Sequence, residues 1–313
     1  SMVIQEEFAT ANCAAVGGPM AVHSDIVAHY ILNHGSEDQK QAYLPKMVSG
    51  DCIGAVAMTE PGTGSDLQGL RTTAKRDGDD YIINGSKTFI TNGQHCDVVI
   101  VAARTNMDVS GAKGTTLFMV DADTPGFQRG RNLKKIGLHP SDTSELFFED
   151  VRVSSDAILG QLDRGFAVLM GELQRERLAL AIGAVAAAEG LIAITVEYVK
   201  ERNAFGAPIA EFQNTKFKLA EAATEVRIHR SFVEECKQLF MRGDLDVATV
   251  SMAKVSCTEM QGRVADTCLQ LHGGYGYMQE YAVSRAFVDA RVQRIYGGTS
   301  EVMKELISRS VLA

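Results

Sequence analysis

Residues 81–91, YIINGSKTFIT, decide the fold class, because they show strand-like patterning within a region, from 52 to about 160, that differs from the helical patterns on either side. Apolar and β-branched residues lie on both sides of Asn84-Gly85, a dipeptide typical of two-residue hairpin turns. We therefore predict a β-hairpin at this point. Further short apolar runs are expected to be strands, at 98–102, 116–120, 146–148 and 151–153. No helical pattern separates them, which favours an antiparallel barrel or sandwich over a parallel sheet.

Helical patterns flank this strand-rich region on both sides. Before it, apolar residues recur at helical spacing over 24–32, and Ser36 precedes a second short helix that ends near Lys46, with Gly50 closing the segment. After it, helices are predicted at 166–203, 215–241 and 247–271, with a last one after Gly297-Gly298. The fold is therefore mostly α with a central β-domain. The expected domains are a helical N-terminal domain at 1–50, a β-domain at 51–160 and a C-terminal helical bundle at 161–313.

Composition excludes several classes of partner. The 313 residues carry 39 acidic and 31 basic side chains, a net charge of -8, so no basic surface is expected for nucleic acid or anionic lipid. We see no apolar run near the ~18 residues of a membrane span. The six cysteines are scattered, with no CxxC pair and no histidine at metal-ligand spacing, so we expect reduced, mostly buried thiols and no metal site.

Two glycine-rich stretches raise the question of a nucleotide site. Residues 61–66, PGTGSD, lack the Gly-Lys-Ser/Thr ending of a P-loop. Residues 273–276, GGYG, do not match GxGxxG and follow a predicted helix rather than a strand. Both stretches could be tight turns, or backbone that approaches a ligand closely. Their spacing does not decide between these two interpretations.

Glu176 is a candidate functional carboxylate. On the predicted helix its neighbours at helical spacing are Leu173, Ala179, Leu180 and Gly183, an apolar and small-residue face. A carboxylate on such a face lies either at the exposed end of the stripe or in a buried position with a task. Periodicity alone leaves both alternatives open.

Seven blocks of sequence, taken together and in order, resemble the acyl-CoA dehydrogenase family over essentially the whole chain. Residues 297–298 with 303–307 are most similar to its long-chain branch. The resemblance implies a helical N-terminal part, a β-barrel middle domain and a C-terminal four-helix bundle. The family usually begins several helices earlier, so we expect only part of the N-terminal domain here. The blocks are AMTEPGTGSD at 57–66, NGSKTFITNG at 84–93, ERL at 176–178, Arg202 with AFG at 204–206, Gln213, QLHGGYGY at 270–277 and IYGGTSE at 295–301.

The resemblance implies an FAD cofactor between the β-domain and the bundle, held partly across the interface of a homodimer, commonly within a homotetramer. The residues implied to line the flavin are Val56, Met58, Thr59, Gly64, Ser65, Phe89, Ile90 and Thr91. Those implied to hold the rest of the cofactor are Arg202, Phe205, Gln213, Gln270, Leu271, His272, Gly273, Gly274, Thr299, Ser300 and Glu301. Those implied to contact substrate are Ser65, Gln174, Arg175, Arg177, Gly297 and Gly298.

The resemblance also implies the catalytic base. Many members carry it directly after the tyrosine of the last motif, where this chain has Gly297. In the long-chain and isovaleryl branches the base instead precedes an arginine on a bundle helix, which is the position of Glu176. An apolar pocket suits a carboxylate to proton abstraction near neutral pH. Glu176 would take the α-proton of an acyl-CoA, while the backbone N–H of Gly297 holds the thioester oxygen.

The expected reaction is oxidation of a medium- or long-chain fatty acyl-CoA to the trans-2-enoyl-CoA. FAD takes the β-hydride, and an electron-transferring flavoprotein then accepts the electrons. Three alternatives stay open: a branched short-chain (isovaleryl-type) dehydrogenase, a non-catalytic acyl-CoA-binding homologue, and an acyl-CoA oxidase. The expected location is the cytoplasm in a bacterium, or the mitochondrial matrix in a eukaryote.

Overall fold

A computed structural model describes residues 2–313, and these residues fold as two compact units. The sheet unit comprises 18–135 and 139–173, and the helical unit comprises 2–17, 136–138 and 174–313. The described α-helices are α1 (Met2–Thr10), α2 (Ala14–Ala21), α3 (Ala28–His34), α4 (Glu37–Ser49), α5 (Gly165–Glu201), α6 (Gln213–Arg242), α7 (Val247–Leu271), α8 (Ala282–Ala290) and α9 (Ser300–Val311). The four long C-terminal predictions are confirmed as α5, α6, α7 and α9, whereas α8 was not predicted.

The sheet unit contains one eight-stranded sheet. Its strands are β1 (Gly54–Ala57), β2 (Thr73–Asp77), β3 (Asp80–Thr91), β4 (Val98–Arg104), β5 (Thr115–Asp121), β6 (Phe127–Asn132), β7 (Thr143–Ser154) and β8 (Ile158–Leu159). The order is β6-β7-β3-β2-β4-β5-β8, with β1 paired to β4. β1 runs parallel to β4, so the sheet is mixed rather than purely antiparallel. Within the described residues no pairing joins β6 to β8, so the predicted barrel is not confirmed.

The predicted hairpin at 81–91 is wrong. β3 is a single twelve-residue strand that pairs with β7 on both sides of Gly85. The register runs from Ile83–Val151 to Gly85–Phe148, so Asn84 faces two residues of β7 in a bulge. Asn84 and Asp150 hold this bulge with reciprocal 2.9 Å hydrogen bonds. Cross-strand pairing thus overrides the local turn preference of Asn-Gly, and the strands predicted at 146–148 and 151–153 are one strand, β7.

β4 lies in the middle of the sheet unit and is buried along its whole length. One face, with Val99 and Val101, packs into the core formed by the strands. The other face, with Val98 and Ile100, packs against Tyr30 of α3. Burial on both faces explains why β4 is a continuous apolar run instead of an alternating one.

His23 connects the helical start of the sheet unit to β1. Its Nε2 lies 3.0 Å from the carbonyl oxygen of Met47, and the Gly54 N–H donates to its Nδ1 at 3.1 Å. The ring therefore carries its hydrogen on Nε2. At the next helix the predicted start is confirmed, because Ser36 forms a capping box with Gln39. The helix continues past the predicted end near Lys46 to Ser49, and Gly50 closes it in the left-handed conformation.

The core of the helical unit is formed by α5, α6 and α7. By length and composition α5 could cross a membrane, since its most apolar window has a mean hydropathy of 2.1; however, 56% of that window is buried in the structure, as in a core helix. The expectation that no apolar run is near the length of a membrane span was wrong, because Glu189 is the one charge among 178–196. In the structure Arg230 of α6 pairs with both Glu189 and Glu6.

Five of the six cysteines are buried, as predicted, and all six are free in the structure. Burial raises the pKa of Cys96 to about 11 and that of Cys257 to about 12. These thiols therefore stay protonated at neutral pH. Over residues 2–313 no three His, Cys, Asp or Glu side chains are grouped as metal ligands.

Candidate active site

In the sheet unit, the two stretches expected to line a flavin are neighbours. The Lys87 ammonium donates to the carbonyl of Met58 at 3.0 Å and to the Glu60 carboxylate at 2.9 Å. The Thr88 N–H donates to the Thr59 carbonyl at 2.9 Å. These bonds connect the 58–60 segment to β3, directly before residues 89–91.

Glu60 and Lys87 form a buried ion pair, with side chains 5% and 0% exposed. Glu60 also accepts the N–H of Arg71 at 2.7 Å and that of Thr72 at 2.9 Å. Burial pushes the Glu60 pKa up, but Lys87 and the bonds from Thr72 outweigh it and hold the pKa below its usual value. Burial lowers the pKa of Lys87 to about 8, partly offset by Glu60. Glu60 therefore joins the two ends of the 60–72 loop, and Lys87 connects Glu60 to β3.

Phe89 is displayed to solvent by a second bulge in β3. The register jumps from Lys87–Leu146 to Ile90–Ser144, so Thr88 and Phe89 together oppose one residue of β7. Phe89 has φ +61° and is 67% exposed. A bulky residue at positive φ costs about 1–3 kcal/mol, and such strain concentrates at functional sites. Phe89 therefore presents a flat apolar surface next to the 58–60 segment.

The remaining predicted residues of the sheet unit differ in accessibility. Gly64 and Ser65 are exposed in the loop after β1, where a ligand could approach their backbone. Ile90 is 3% exposed and belongs to the strand core, so its side chain is not available to a ligand. The half-buried positions are Val56, Met58, Thr59 and Thr91.

In the helical unit, a cavity of about 490 Å³ gathers five of the residues expected to hold the cofactor. Arg202 contributes the cation at its rim, with its guanidinium carbon 5.6 Å from the centre of the Tyr275 ring. Gly273 and Gly274 are exposed, and a Cβ at either would meet nothing within 4 Å. The lining residues are Tyr198, Arg202, Ile209, Leu271, His272, Gly273, Gly274, Tyr275 and Met278.

His272 is held rigidly at the back of this cavity. Its ring stacks on Tyr198 at 4.1 Å between centroids, and the Tyr198 hydroxyl donates to its carbonyl at 3.1 Å. Nδ1 lies 2.8 Å from the Cys268 carbonyl, which can only accept, so Nδ1 carries the hydrogen. Burial lowers the pKa of His272, and the bond to Cys268 offsets this only in part. Tyr198 was missed by the sequence analysis, although it lies one helical turn before Arg202.

Three predicted cofactor residues, Phe205, Gln213 and Gln270, do not line the cavity and lie on the surface of the helical unit. Phe205 is 98% exposed at the tip of a two-residue hairpin, β9 (Asn203–Ala204) and β10 (Ala207–Pro208). Phe205 and Gly206 both have positive φ, as a type I′ turn requires. The turn therefore directs an aromatic ring into solvent, where a partner could cover it.

Glu176 lies on α5 beside the Gly297-Gly298 turn. The next residue, Arg177, is 6% exposed and donates from Nε to the Gly297 carbonyl at 3.1 Å. Leu180, one turn after Glu176, would lie 2.6 Å from a Cβ at Gly297. Burial lowers the pKa of Arg177, while the charge of Glu176 raises it. The half-buried Glu176 carboxylate is thus on the part of α5 that contacts this turn.

The residues around this turn, whose cofactor and substrate roles stay predictions, also make contacts within the helical unit. Thr299 caps α9 by accepting the Val302 N–H at 3.3 Å, and Ser300 donates to Glu259 at 2.9 Å. Their hydroxyls are therefore engaged within the unit. Glu301 is exposed, and Gln174 and Arg175 are half-buried on α5. Arg177 is bonded to backbone of its own unit, which gives it a structural contact besides any contact with substrate.

The chain matches three family models along its length. They are described as the acyl-CoA dehydrogenase N-terminal domain at residues 1–51, middle domain at 55–151 and C-terminal domain at 163–312. The mitochondrial long-chain specific acyl-CoA dehydrogenase of Sus scrofa is 53% identical over 311 residues, which are 99% of this chain and 72% of the relative.

Solved structures agree with these matches. An acyl-CoA dehydrogenase from Geobacillus kaustophilus has a TM-score of 0.95 and 49% identity, covering 99% of this chain and 81% of that one. A chain in the structure of an electron transferring flavoprotein of Acidaminococcus fermentans has the same TM-score at 36% identity and the same coverage. Since both the sequence blocks and the fold agree over nearly all residues, the chain belongs to the acyl-CoA dehydrogenase family of FAD-dependent oxidoreductases.

Proposed function

We propose that the chain oxidises a medium- or long-chain fatty acyl-CoA to the trans-2-enoyl-CoA, with Glu176 as the base. The observation that carries this assignment is the 3.1 Å bond from Arg177 to the Gly297 carbonyl. It brings α5 at Glu176 to the very turn where many family members carry their base. The long-chain relative from Sus scrofa supports the substrate class.

Glu176 removes the α-proton of the bound thioester. Negative charge then develops on the thioester oxygen, and the backbone N–H of Gly297 is assigned to hold it. Gly297 keeps this N–H although it has no side chain to act as base. Glu176 is half-buried on α5, and a carboxylate is one of the side chains that serve as general bases.

The described residues fit FAD within each unit. The cavity of the helical unit offers a cation at Arg202, open backbone at Gly273 and Gly274, and aromatic walls, which suit a phosphate-linked dinucleotide. In the sheet unit Phe89 offers an apolar surface beside the 58–65 segment. FAD, when bound, supplies the acceptor for the β-hydride.

We further propose an electron-transferring flavoprotein as the electron acceptor and a homodimer or homotetramer as the assembly. The relative found in an electron transferring flavoprotein structure supports the first. The exposed Phe205 supports the second, because an aromatic tip that is 98% exposed suits burial by another copy. The location is the cytoplasm in a bacterium or the mitochondrial matrix in a eukaryote. The three matched ranges support domains at 1–50, 51–160 and 161–313.

The test is anaerobic bleaching of bound flavin by acyl-CoA. The purified protein should be yellow, and Glu176→Gln should reduce its flavin about 10²–10⁴-fold more slowly while retaining FAD. Glu189→Gln is the matched control, because it alters a carboxylate of α5 that pairs with Arg230; it should leave the rate unchanged.

Bleaching at the wild-type rate in Glu176→Gln would remove the proposed base. No bleaching in a wild-type protein that binds acyl-CoA would favour the non-catalytic homologue. Fast peroxide release under air would favour an oxidase. A profile over straight and branched acyl chains distinguishes the isovaleryl-type alternative.

A further inference from the structure

The Gly297-Gly298 turn is held by two buried cations. Both glycines have positive φ, +65° and +98°, so their own conformational preference restrains the turn little. Arg177 on α5 donates to the Gly297 carbonyl at 3.1 Å, and Lys254 on α7 donates to the Gly298 carbonyl at 2.7 Å. Two consecutive carbonyl groups are therefore fixed from two different helices.

Lys254 is an unusual residue for the core of a helical unit. It is 0% exposed, and the adjacent Ala253 lies in the apolar core. A lysine is almost never fully buried without a partner or a task. Burial, together with the positive charge of Arg177, lowers the pKa of Lys254 to about 8, while Glu259 and Glu301 act in the opposite direction. In the sequence, the feature that could have indicated Lys254 is a single charged residue within the apolar face of α7.

We propose that Lys254 is a positioning residue: by holding the Gly298 carbonyl it orients the turn so that the Gly297 N–H points at the thioester oxygen. This inference rests on the proposed function, which assigns that N–H to the developing oxyanion. An oxyanion donor acts only at the correct distance and angle, and displacing it costs much of its ~10²–10³-fold effect. Lys254 itself does not contact substrate.

A purely structural role for Lys254 makes a different prediction. It would anchor the start of α9, where Ser300 is already bonded to Glu259. Loss of the lysine would then lower stability, but folded protein would reduce flavin at the normal limiting rate. The two roles are separated by the limiting rate and the substrate dissociation constant, measured on flavin-loaded protein.

The experiment compares Lys254→Met with Ser251→Ala. Ser251 is also fully buried on α7, but its hydroxyl bonds to the Val247 carbonyl of its own helix. In stopped-flow reduction by acyl-CoA, we expect Lys254→Met to lower the limiting rate about 10- to 100-fold, with less than about 3-fold change in substrate dissociation constant. Lys254→Arg, which keeps a cationic donor, should recover most of the rate.

Hydrogen exchange followed by mass spectrometry provides a readout independent of the flavin. Peptides covering 295–303 should exchange faster in Lys254→Met than in Ser251→Ala. Should Lys254→Met not fold, Lys254→Gln takes its place, because its shorter amide does not reach the Gly298 carbonyl. It should show the same loss of rate.

The outcomes distinguish this proposal from the function on which it rests. A wild-type limiting rate in folded Lys254→Met or Lys254→Gln overturns the positioning role, even if Glu176→Gln is inactive as expected. Failure of the wild-type protein to reduce its flavin overturns the proposed function and the positioning role together. A slow Lys254→Met that Lys254→Arg restores supports both.

Discussion

Removing the buried lysine of the sheet unit should both destabilise that unit and weaken flavin binding. In Lys87→Met the carboxylate of Glu60 stays buried and keeps its two backbone donors from Arg71 and Thr72, but it loses the Lys87 ammonium as its cationic partner. The Met58 carbonyl also loses a donor. The connection between the 58–60 segment and β3 then depends on the single backbone bond from Thr88.

The expected magnitude follows from burial. Breaking a buried ion pair from one side typically costs about 3–5 kcal/mol, because an uncompensated charge remains. At roughly 2–4 °C per kcal/mol for domains of about 150–250 residues, the Tm should fall by about 10 °C. Lys40→Met is the matched control, since Lys40 pairs with an exposed Glu37 on α4 and should change the Tm by no more than about 2 °C.

The assay is thermal unfolding with and without added FAD, together with the flavin content after gel filtration. Lys87→Met should lose flavin, whereas Lys40→Met should retain it. The double variant Lys87→Met/Glu60→Gln should recover part of the decrease in Tm, because it removes the buried Glu60 charge that has lost its partner. If Lys87→Met unfolds within about 2 °C of wild type, the ion pair does not stabilise the 60–72 loop as argued.

Three further results are expected. The double variant Glu176→Gln/Gly297→Glu should recover part of the flavin reduction that Glu176→Gln loses. Adding Leu180→Ala should increase this recovery, because Leu180 would lie 2.6 Å from a Cβ at Gly297. If neither variant recovers flavin reduction, carboxylates at the two positions do not reach the same α-proton. Arg202→Ala should lower FAD affinity more than it alters acyl-chain selectivity, as equilibrium dialysis would reveal, and equal affinity would remove its phosphate role. Burial lowers the pKa of His272 in the folded protein. As the pH falls below about 6.5, the unfolded chain therefore binds a proton at this histidine before the folded chain does, and the free energy of unfolding decreases. The drop in Tm from pH 7.5 to 5.5 should be smaller in His272→Asn, and an equal drop would contradict this assignment.

The helices α4, α5, α6, α7 and α9 could be predicted from local signals. Ser36 and Gly50 mark the ends of α4 through a capping box and a left-handed glycine, both short-range features of the backbone. The helix predicted at 247–271 has the same bounds in the structure, where the Asp246 side chain caps it by accepting the Thr249 N–H. Such signals require no knowledge of distant residues.

The strands show where local signals fail. Asn84-Gly85 has the preference of a hairpin turn, yet its partner for pairing is β7, more than sixty residues later. Because β3 pairs with β7 on both sides of this dipeptide, Asn84-Gly85 forms a β-bulge instead of a turn. The parallel pairing of β1 with β4 could not be predicted either, because the sequence of a four-residue strand does not indicate which strand it pairs with.

By itself, the sequence determined the family, the helices α5, α6, α7 and α9 and the candidate base, since Glu176 stands before an arginine while Gly297 lacks a carboxylate. Only the tertiary structure decided what surrounds them. It brought Arg177 and Lys254 to consecutive carbonyls of one turn, and it buried Lys87 against Glu60. The physical reason is that hydrogen bonds and desolvation act through space. The hydrogen-bond or ion-pair partner of a charged residue in an apolar stretch can therefore be identified only in the folded structure.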